Sequence, residues 1–181
     1  MKNKNGIKRM GAAFIFLAVF SVEISMGKGL EPIWKKYKFG AHHFSVESPS
    51  PFVVEDHRVE TGQVVFQNSP QVGNTQIFII ITDHRGKRRL ANIPDEVLSS
   101  LEKREGYAKF ESRFKKTTCS NAPAILTKRT FVKNGNVSME MKELDAVKGE
   151  RWFCVMVFHD LGNKALESMA DQVIRSFKIL N

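Results

Sequence analysis

Hydrophobic positions in the second half of the chain first alternate with polar ones and then run together, which predicts neighbouring β-strands that differ in burial. Over residues 136–142, Val137, Met139 and Met141 alternate with polar residues, so this strand should bury one face and leave the other wet. Residues 152–158 are apolar throughout, as in a strand covered on both faces. Asn134-Gly135 predicts a two-residue hairpin turn, because a type I′ turn needs positive φ at both central positions. Lys148-Gly149 predicts the next turn.

Earlier segments carry similar strand signals. Strands are predicted at residues 44–46, 52–54, 63–66, 76–82 and 107–116, which contain β-branched or aromatic residues between turn signals. Pro49 and Pro51 separate the first two, because the residue before a proline avoids the helical region. Residues 77–81 lack alternation and predict a strand buried on both faces. Residues 177–180 are assigned to a short last strand.

Two helices are predicted from apolar residues spaced three or four apart. The C-terminal helix should be capped by Asn163, and its buried stripe consists of Leu166, Met169, Ala170, Val173, Ile174 and Phe177. The other helix should begin near Pro94, ahead of two carboxylates in its first turn, and end at Gly106. Its buried stripe consists of Val97, Leu98 and Leu101. The fold class is therefore α/β (α+β), a mainly antiparallel sheet covered by helices in a sandwich two or three layers deep.

Residues 1–27 have the composition of an export signal. A basic start is followed by the uncharged, mostly apolar residues 10–22 and by the small-residue pattern Ser25-Met26-Gly27. About a dozen apolar residues are fewer than the roughly 20 that a spanning helix needs. We expect cleavage after Gly27 and a periplasmic or secreted product. The alternative is an inner-membrane anchor formed by uncleaved residues 10–26.

Residues 28–181 have the length of a single domain and contain no repeat or shift in composition. The whole chain carries a net charge of +9, and because residues 1–27 contain four basic residues and one acidic residue, the remainder would carry +6. Such a surplus favours association with an envelope protein or an anionic surface. A stable membrane span is not expected after cleavage.

Several classes of function lack their sequence signals. No basic helix or aromatic and basic platform for nucleic acid is present. The sequence has no phosphate-binding or dinucleotide glycine pattern and no Gly-x-Ser-x-Gly elbow. We therefore expect no nucleic-acid partner, no cofactor and no catalytic residues of these kinds.

The order of elements resembles a known fold family. The segment at residues 44–49, the Asn134-Gly135 hairpin, the run at residues 151–155 and the end of the last helix at residues 174–177 are similar to PsbP/MOG-like α/β/α sandwiches, which include exported DcrB-like proteins. The resemblance spans residues 40–181. It implies a fold used mainly to bind other proteins, with no shared catalytic set. No signature for binding a photosystem or Ran is present in the sequence.

Three of the five histidines stand beside an aspartate: His57, His84 and His159. Imidazoles oriented by carboxylates are good zinc ligands. However, the spacing is unlike that of any ligand motif, and all three pairs fall at predicted strand ends or loops. We expect structural or solvated histidines here and at His42-His43. A divalent-metal or acid–base site formed by His57, His84 and His159 remains the alternative.

The two cysteines, Cys119 and Cys154, would meet an oxidising environment after export. In a two-residue hairpin at residues 134–135, the numbers of two facing residues would add to about 269, so Glu140 would face Arg129. The next turn would place Cys154 opposite the neighbourhood of Glu140, and Cys154 would therefore lie one strand away from Arg129. Cys119 would then lie about 33 Å away along an extended strand, whereas a disulfide needs Cα atoms within about 7 Å. A chain reversal at residues 120–121 would shorten this separation, so the bridge remains open. A cysteine nucleophile is not expected, because Cys154 lies in an apolar strand.

The densest positive charge outside the export signal is the loop containing Arg85, Lys87, Arg88 and Arg89. Gly86 would let the backbone bend around an anion, and arginine offers paired donors. A solvated loop is the alternative.

We expect a non-catalytic binding module for a protein or an anionic envelope component, acting through the sheet edge and this cationic loop. A small metal-dependent or hydrolytic enzyme using His57, His84 and His159 is the alternative function.

Overall fold

The computed structural model describes residues 33–58, 62–69, 71–83 and 90–181, so the predicted export signal lies outside the described residues. In chain order the strands are β1 (Lys35–Phe39), β2 (Phe44–Ser48), β3 (Phe52–Arg58), β4 (Gln63–Asn68), β5 (Gln76–Asp83), β6 (Tyr107–Cys119), β7 (Ala122–Lys133), β8 (Val137–Lys148), β9 (Arg151–Asp160) and β10 (Lys178–Ile179). The helices are α1 (Ile93–Glu102) and α2 (Lys164–Ser176). Neither helix is long and apolar enough to cross a membrane.

The described strands form two sheets in which neighbours are antiparallel. The large sheet has seven strands in the order β3-β4-β5-β9-β8-β7-β6, and the small sheet has the order β1-β2-β10. The small sheet and α2 cover one face of the large sheet, which we call the α2 face. Helix α1 packs on the opposite face, the α1 face. The predicted antiparallel sheet covered by helices is confirmed.

Two core clusters separate according to the two-residue period of the strands. In β5, Ile77, Ile79 and Ile81 join the core of the α2 face, whereas Phe78 and Ile80 join the core of the α1 face. The same alternation divides β9, where Val155 and Cys154 belong to opposite faces. The prediction that β5 and β9 are buried on both sides is confirmed, because each lies inside the sheet with a covering layer on either side.

Helix α2 forms as its apolar stripe predicts. The side chain of Asn163 accepts a hydrogen bond from the backbone N–H of Leu166 at 3.2 Å, which is the predicted N-cap. Helix α1 differs in detail, since it ends at Glu102, before Gly106, and Leu98 is only half-buried. Strand β1 was not predicted, because its lysines hide the apolar positions Tyr37 and Phe39 that pack on the core.

The prediction that one face of residues 136–142 is wet holds at exposed Asn136 and Ser138 but was wrong at Glu140 and Lys142. Met139 and Met141 are buried as expected, but Glu140 and Lys142 on the other face are buried too. Helix α2 covers this face, and Lys142 Nζ donates to Asp171 Oδ1 of that helix at 2.6 Å. Glu140 and Lys142 therefore belong to a buried ionic layer, whereas the polar residues nearer the hairpin contact water.

The first hairpin turn contains the predicted Asn134-Gly135 but is one residue longer than predicted, and the second turn lies one residue later than predicted. Lys133 pairs with Val137, so residues 134–136 form a three-residue loop in which Asn134 and Gly135 both have positive φ. Lys148 pairs with Arg151, which places Gly149 and Glu150 in the second turn. The facing residues of β7 and β8 therefore lie one position away from the predicted pairing.

Candidate functional site: the basic edge of the large sheet

The cationic loop singled out from the sequence lies outside the described residues, together with His84. Strand β5 leads into this loop at Asp83, whose Oδ1 accepts a hydrogen bond from Arg151 Nε at 2.6 Å. Arg85, Lys87, Arg88 and Arg89 therefore stay predicted anion-binding residues.

The histidines proposed for the alternative enzyme do not come together where the structure describes them. Through the pairing of β3, β4, β5 and β9, exposed His57 is level with Phe153 on β9. His159 lies six residues further along β9, a distance of about 20 Å. His159 is buried, with its Nε2 atom 3.6 Å from Glu140 Oε1. These two imidazoles therefore cannot bind one metal ion.

The remaining histidines lie nearer to His57. Burial lowers the pKa of His42, and neighbouring His57 and Arg151 lower it further. His43 lines a cavity of about 640 Å³ at this end of the sandwich, together with Asp83, Lys148 and Arg151. Within this cavity Arg151 is paired with Asp83, and Lys148 donates to Asn181 Oδ1 at 2.8 Å. Its cations therefore already have partners.

A buried polar cluster on the α1 face was not anticipated. Arg129 Nη1 donates to Glu143 Oε2 at 2.7 Å, and the same guanidinium donates to the carbonyl oxygen of Pro94 at the start of α1. Trp152 Nε1 donates to Asp145 Oδ1 at 2.9 Å. Burial raises the pKa of Glu143 well above its usual value and that of Asp145 to about 6.

This polar cluster also contains Cys154, whose Sγ lies 3.9 Å from Glu143 Oε1. Glu143, Asp145 and Cys154 are the one group of three possible metal ligands found close together in the described residues. The Arg129 guanidinium already supplies a positive charge there, and burial raises the pKa of the Cys154 thiol well above its usual value. Both effects disfavour a bound cation, so we assign the cluster a structural role, which joins α1 to the sheet.

The two cysteines lie on opposite faces of the large sheet. Cys119 packs in the α2-face core and Cys154 in the α1-face core, and both thiols are free and buried. The predicted position of Cys154 was wrong, because it pairs with Asp145 and, one strand further, is level with Ile125. Cys119 and Cys154 therefore form no disulfide, and the reason is that the sheet lies between the two thiols, not that they are far apart along a strand.

Among the described residues, the outer strand of the large sheet is one polar surface whose cations have no carboxylate partner. We call residues 109–118 of β6 the basic edge. It contains one carboxylate, Glu111, and four exposed cations: Lys109, Arg113, Lys115 and Lys116. Within the described residues none of these cations has a carboxylate partner. Phe114 stands among them with 62% of its surface exposed.

The backbone of the basic edge also has groups without a partner in the part of the chain that the structure describes. Ser120 and Asn121 both have positive φ and form the two-residue turn between Cys119 and Ala122, so these flanking residues exchange both hydrogen bonds of a narrow pair. Counting back from there, every second residue of β6 directs its N–H and C=O away from β7. These residues are Ser112, Phe114, Lys116 and Thr118. Thr118 faces Pro123, which has no N–H, in agreement with this assignment.

A groove runs beside the basic edge on the α2 face. Its volume is about 310 Å³, and Leu126 forms an apolar part of its lining. Four cationic side chains line the groove, but Lys128 and Lys142 are held by carboxylates of the buried layer and of α2. Arg113 and Lys115 are therefore the cations of this groove that stay available to a ligand among the described residues.

Two features of the sequence are partial signals for this site. The density of lysine and arginine over residues 109–116 was visible, and so was the isolated Phe114. The position of β6 at the edge of the described sheet could not be predicted from the sequence, because strand order depends on long-range pairing. Residues 107–116 were assigned as a strand without a position.

Comparison with known proteins defines the fold. No protein-family model matches the chain, and no curated protein matches it. Among solved structures, the cyanobacterial PsbP protein CyanoP from Synechocystis sp. PCC 6803 is similar with a TM-score of 0.61 at 12% identity, covering 86% of this chain and 97% of that one. LpqN of Mycobacterium tuberculosis, involved in cell envelope biogenesis, is similar with a TM-score of 0.53 at 12% identity, covering 76% of this chain and 83% of that one. The chain has a PsbP-like fold, and the resemblance predicted from the sequence is confirmed at that level.

Proposed function

We propose that this protein is a non-catalytic binding module that acts outside the cytoplasm and recognises an anionic partner, either a protein or an envelope component. The observation that carries the proposal is the basic edge, where four exposed cations have no carboxylate partner among the described residues. Elsewhere on β7 and β8, Lys128 and Lys142 are neutralised by Glu140, Glu167 and Asp171. Unpaired exposed cations on one strand create a local positive potential that attracts anions.

Location outside the cytoplasm is supported by the composition of residues 1–27. The likeness to LpqN, a protein involved in cell envelope biogenesis, agrees with such a location. Expression of the full chain in a Gram-negative host tests it. Recovery from the periplasm or medium of a protein that begins at Lys28 is the expected result. An intact Met1 terminus in the membrane fraction would instead support the anchor formed by residues 10–26.

The structure does not support the alternative enzyme site for two of its three residues, His57 and His159, because these side chains lie far apart. A shared metal or acid–base site needs the side chains within a few ångströms of one another, and His57 and His159 lie about 20 Å apart along the sheet. We therefore propose no shared catalytic or metal site for His57 and His159, and His84 lies outside the described residues.

Binding to heparin and to vesicles rich in anionic lipid at low salt tests the proposed function. We expect retention that falls as ionic strength rises, because exposed charges are screened over about 8 Å at 0.15 M salt. Two quadruple variants locate the surface. The edge variant replaces Lys109, Arg113, Lys115 and Lys116 with glutamine, and the loop variant replaces Arg85, Lys87, Arg88 and Arg89 with glutamine.

A third quadruple variant provides the matched control. It replaces four exposed lysines of the small sheet with glutamine: Lys35, Lys36, Lys38 and Lys178. All three variants lose four charges, so any difference between them reports position and not net charge. We expect the edge and loop variants to lose most of the binding and the control to keep most of it. Equal losses in all three, or no binding by the parent protein, would contradict the proposal.

A further inference from the structure

Within the described ranges the basic edge combines unpaired backbone groups with unpaired charge, and this combination narrows the class of partner. Lipid headgroups and acidic polysaccharides can satisfy the cations, but they do not present the regularly spaced N–H and C=O groups that pair with a strand edge. An extended polypeptide does both. We propose that β6 accepts an extended acidic segment of a partner protein as an eighth strand of the large sheet. This inference rests on the proposed function and specifies the partner within it.

The register of β6 predicts how the two chains would meet. Ser112, Phe114, Lys116 and Thr118 direct their backbone groups outward, so residues of the partner opposite them would form the hydrogen-bonded pairs. Side chains of those partner residues would lie on the α1 face, beside exposed Phe114. The intervening partner residues would lie on the α2 face, beside Arg113 and Lys115 at the groove. The geometry therefore favours a segment with carboxylates at the alternate positions beside Arg113 and Lys115 and an apolar residue beside Phe114, although Lys116 shares the face of Phe114.

Charge repulsion makes a second copy of this chain an unfavourable partner for the β6 edge. Two basic edges placed side by side would bring eight cations and only two carboxylates together, and like charges directly opposite one another destabilise a strand pair. Natural sheets use edge lysines for this purpose, to prevent association with identical edges. An acidic strand turns the same lysines into a source of attraction. The surface thus rejects its own copy and selects a partner of opposite charge.

The bulge in β6 limits the length of the docking segment. Pairing with β7 is interrupted between Ala108 and Glu111, where Lys109 has a positive φ of 57°. A bulge of this kind bends the strand and breaks the regular edge. At the other end the turn at Ser120 and Asn121 closes the strand. The regular edge therefore spans residues 111–118, enough for a segment of about eight residues.

Calorimetric titration of the purified protein with a defined peptide tests this inference. The probe is the acetylated and amidated peptide Glu-Val-Glu-Val-Glu-Val-Glu-Val. The control peptide has the same sequence with N-methylated valines, which keeps the charge but removes the N–H groups that would face β6 when the carboxylates lie at the groove. We expect binding at low salt that weakens about tenfold or more with the control peptide.

A variant of β6 separates strand pairing from charge. Ser112→Pro keeps every charge of the basic edge and removes one outward N–H, and because this N–H points away from β7 the existing ladder is kept. We expect about tenfold weaker peptide binding with Ser112→Pro and little change with the matched Ser112→Ala. Heparin binding should be the same for both variants, since their charges are equal.

Hydrogen exchange measured on the parent protein tests whether the peptide pairs with the backbone of β6, and it needs no variant. Peptide binding should slow exchange of the backbone amides of Phe114 and Lys116 about tenfold or more, because these N–H groups become hydrogen-bonded. Unchanged exchange at both amides, or equal affinity for the two peptides, would overturn the inference. If heparin binding persists in that case, the proposed function stands and strand addition alone fails. If neither heparin, vesicles nor the peptide binds, both proposals fail.

Discussion

Arg129 Nη1 lies 2.7 Å from Glu143 Oε2, and the two side chains are 1% and 0% exposed, so this ion pair is enclosed between the large sheet and α1. The same guanidinium also donates to the carbonyl oxygen of Pro94 in the first turn of α1. The pair therefore links strands β7 and β8 to the helix that covers them. Its removal should loosen that helix as well as leave a carboxylate without its partner.

Arg129→Met should destabilise the protein by about 3 kcal/mol or more, because it leaves Glu143 and the Pro94 carbonyl without their donor. Urea denaturation followed by circular dichroism measures the change in the free energy of unfolding. The double variant Arg129→Met with Glu143→Met should recover part of the loss, since removal of both charges abolishes the unpaired carboxylate. Additive losses in the double variant would show that the two residues do not act as a pair.

Asp145 should make stability depend on pH. Burial raises its pKa from 3.8 to about 6, so the folded protein binds more protons than the unfolded chain between these values. The contribution of this group to the free energy of unfolding is therefore present in full below about pH 4 and falls as pH rises towards and through 6. Asp145→Asn imitates the protonated form and keeps an oxygen to accept from Trp152 Nε1.

Denaturation at pH 4.5 and at pH 7.5 checks the effect of Asp145. We expect the stability of Asp145→Asn relative to the parent to increase between these two pH values, because only the parent must ionise a buried carboxyl. An equal difference at both pH values would mean that Asp145 does not titrate between them. The comparison between the two proteins removes the contributions of carboxylates that both share.

Val155→Asp should cost several kcal/mol, because it places a carboxylate without a partner in the fully buried α2-face core. Total stabilities of roughly 5–15 kcal/mol make such a loss close to unfolding. Thermal melting of the soluble protein measures it. Ser138→Asp is the matched control, because Ser138 is exposed on β8, and it should melt like the parent. A Val155→Asp protein with a near-native melting temperature would contradict the burial of this strand.

The two cysteines should behave as independent, protected thiols. Cys119 and Cys154 lie on opposite faces of the sheet, and burial raises the pKa of both thiols. Addition of a reductant should leave the melting temperature unchanged. A thiol reagent should modify both residues only after denaturation, because the thiolate is the reactive form. Rapid modification of the folded protein, or loss of stability on reduction, would be incompatible with the arrangement of the core.

Local sequence patterns were sufficient for the elements that depend on neighbouring residues. The apolar stripe from Leu166 to Phe177 and the cap at Asn163 determined α2, because both follow from the spacing of side chains along one helix. The uninterrupted apolar runs of β5 and β9 determined central strands, since only strands covered on both sides can be apolar at every position. The sandwich class followed from these elements together.

Tertiary structure decided the features that depend on what covers a strand and what ends a sheet. Glu140 and Lys142 have the alternation of a wet face, but α2 supplies Asp171 and Glu167 and turns that face into a buried ionic layer. The acidic residues Glu143 and Asp145 look similarly solvated in sequence, and only the fold brings Arg129 and Trp152 to them. The basic edge is a candidate site because β6 is the outer strand of the large sheet among the described strands. Periodicity reports which side chains share a face, whereas long-range packing determines whether that face meets water, another layer or an open edge.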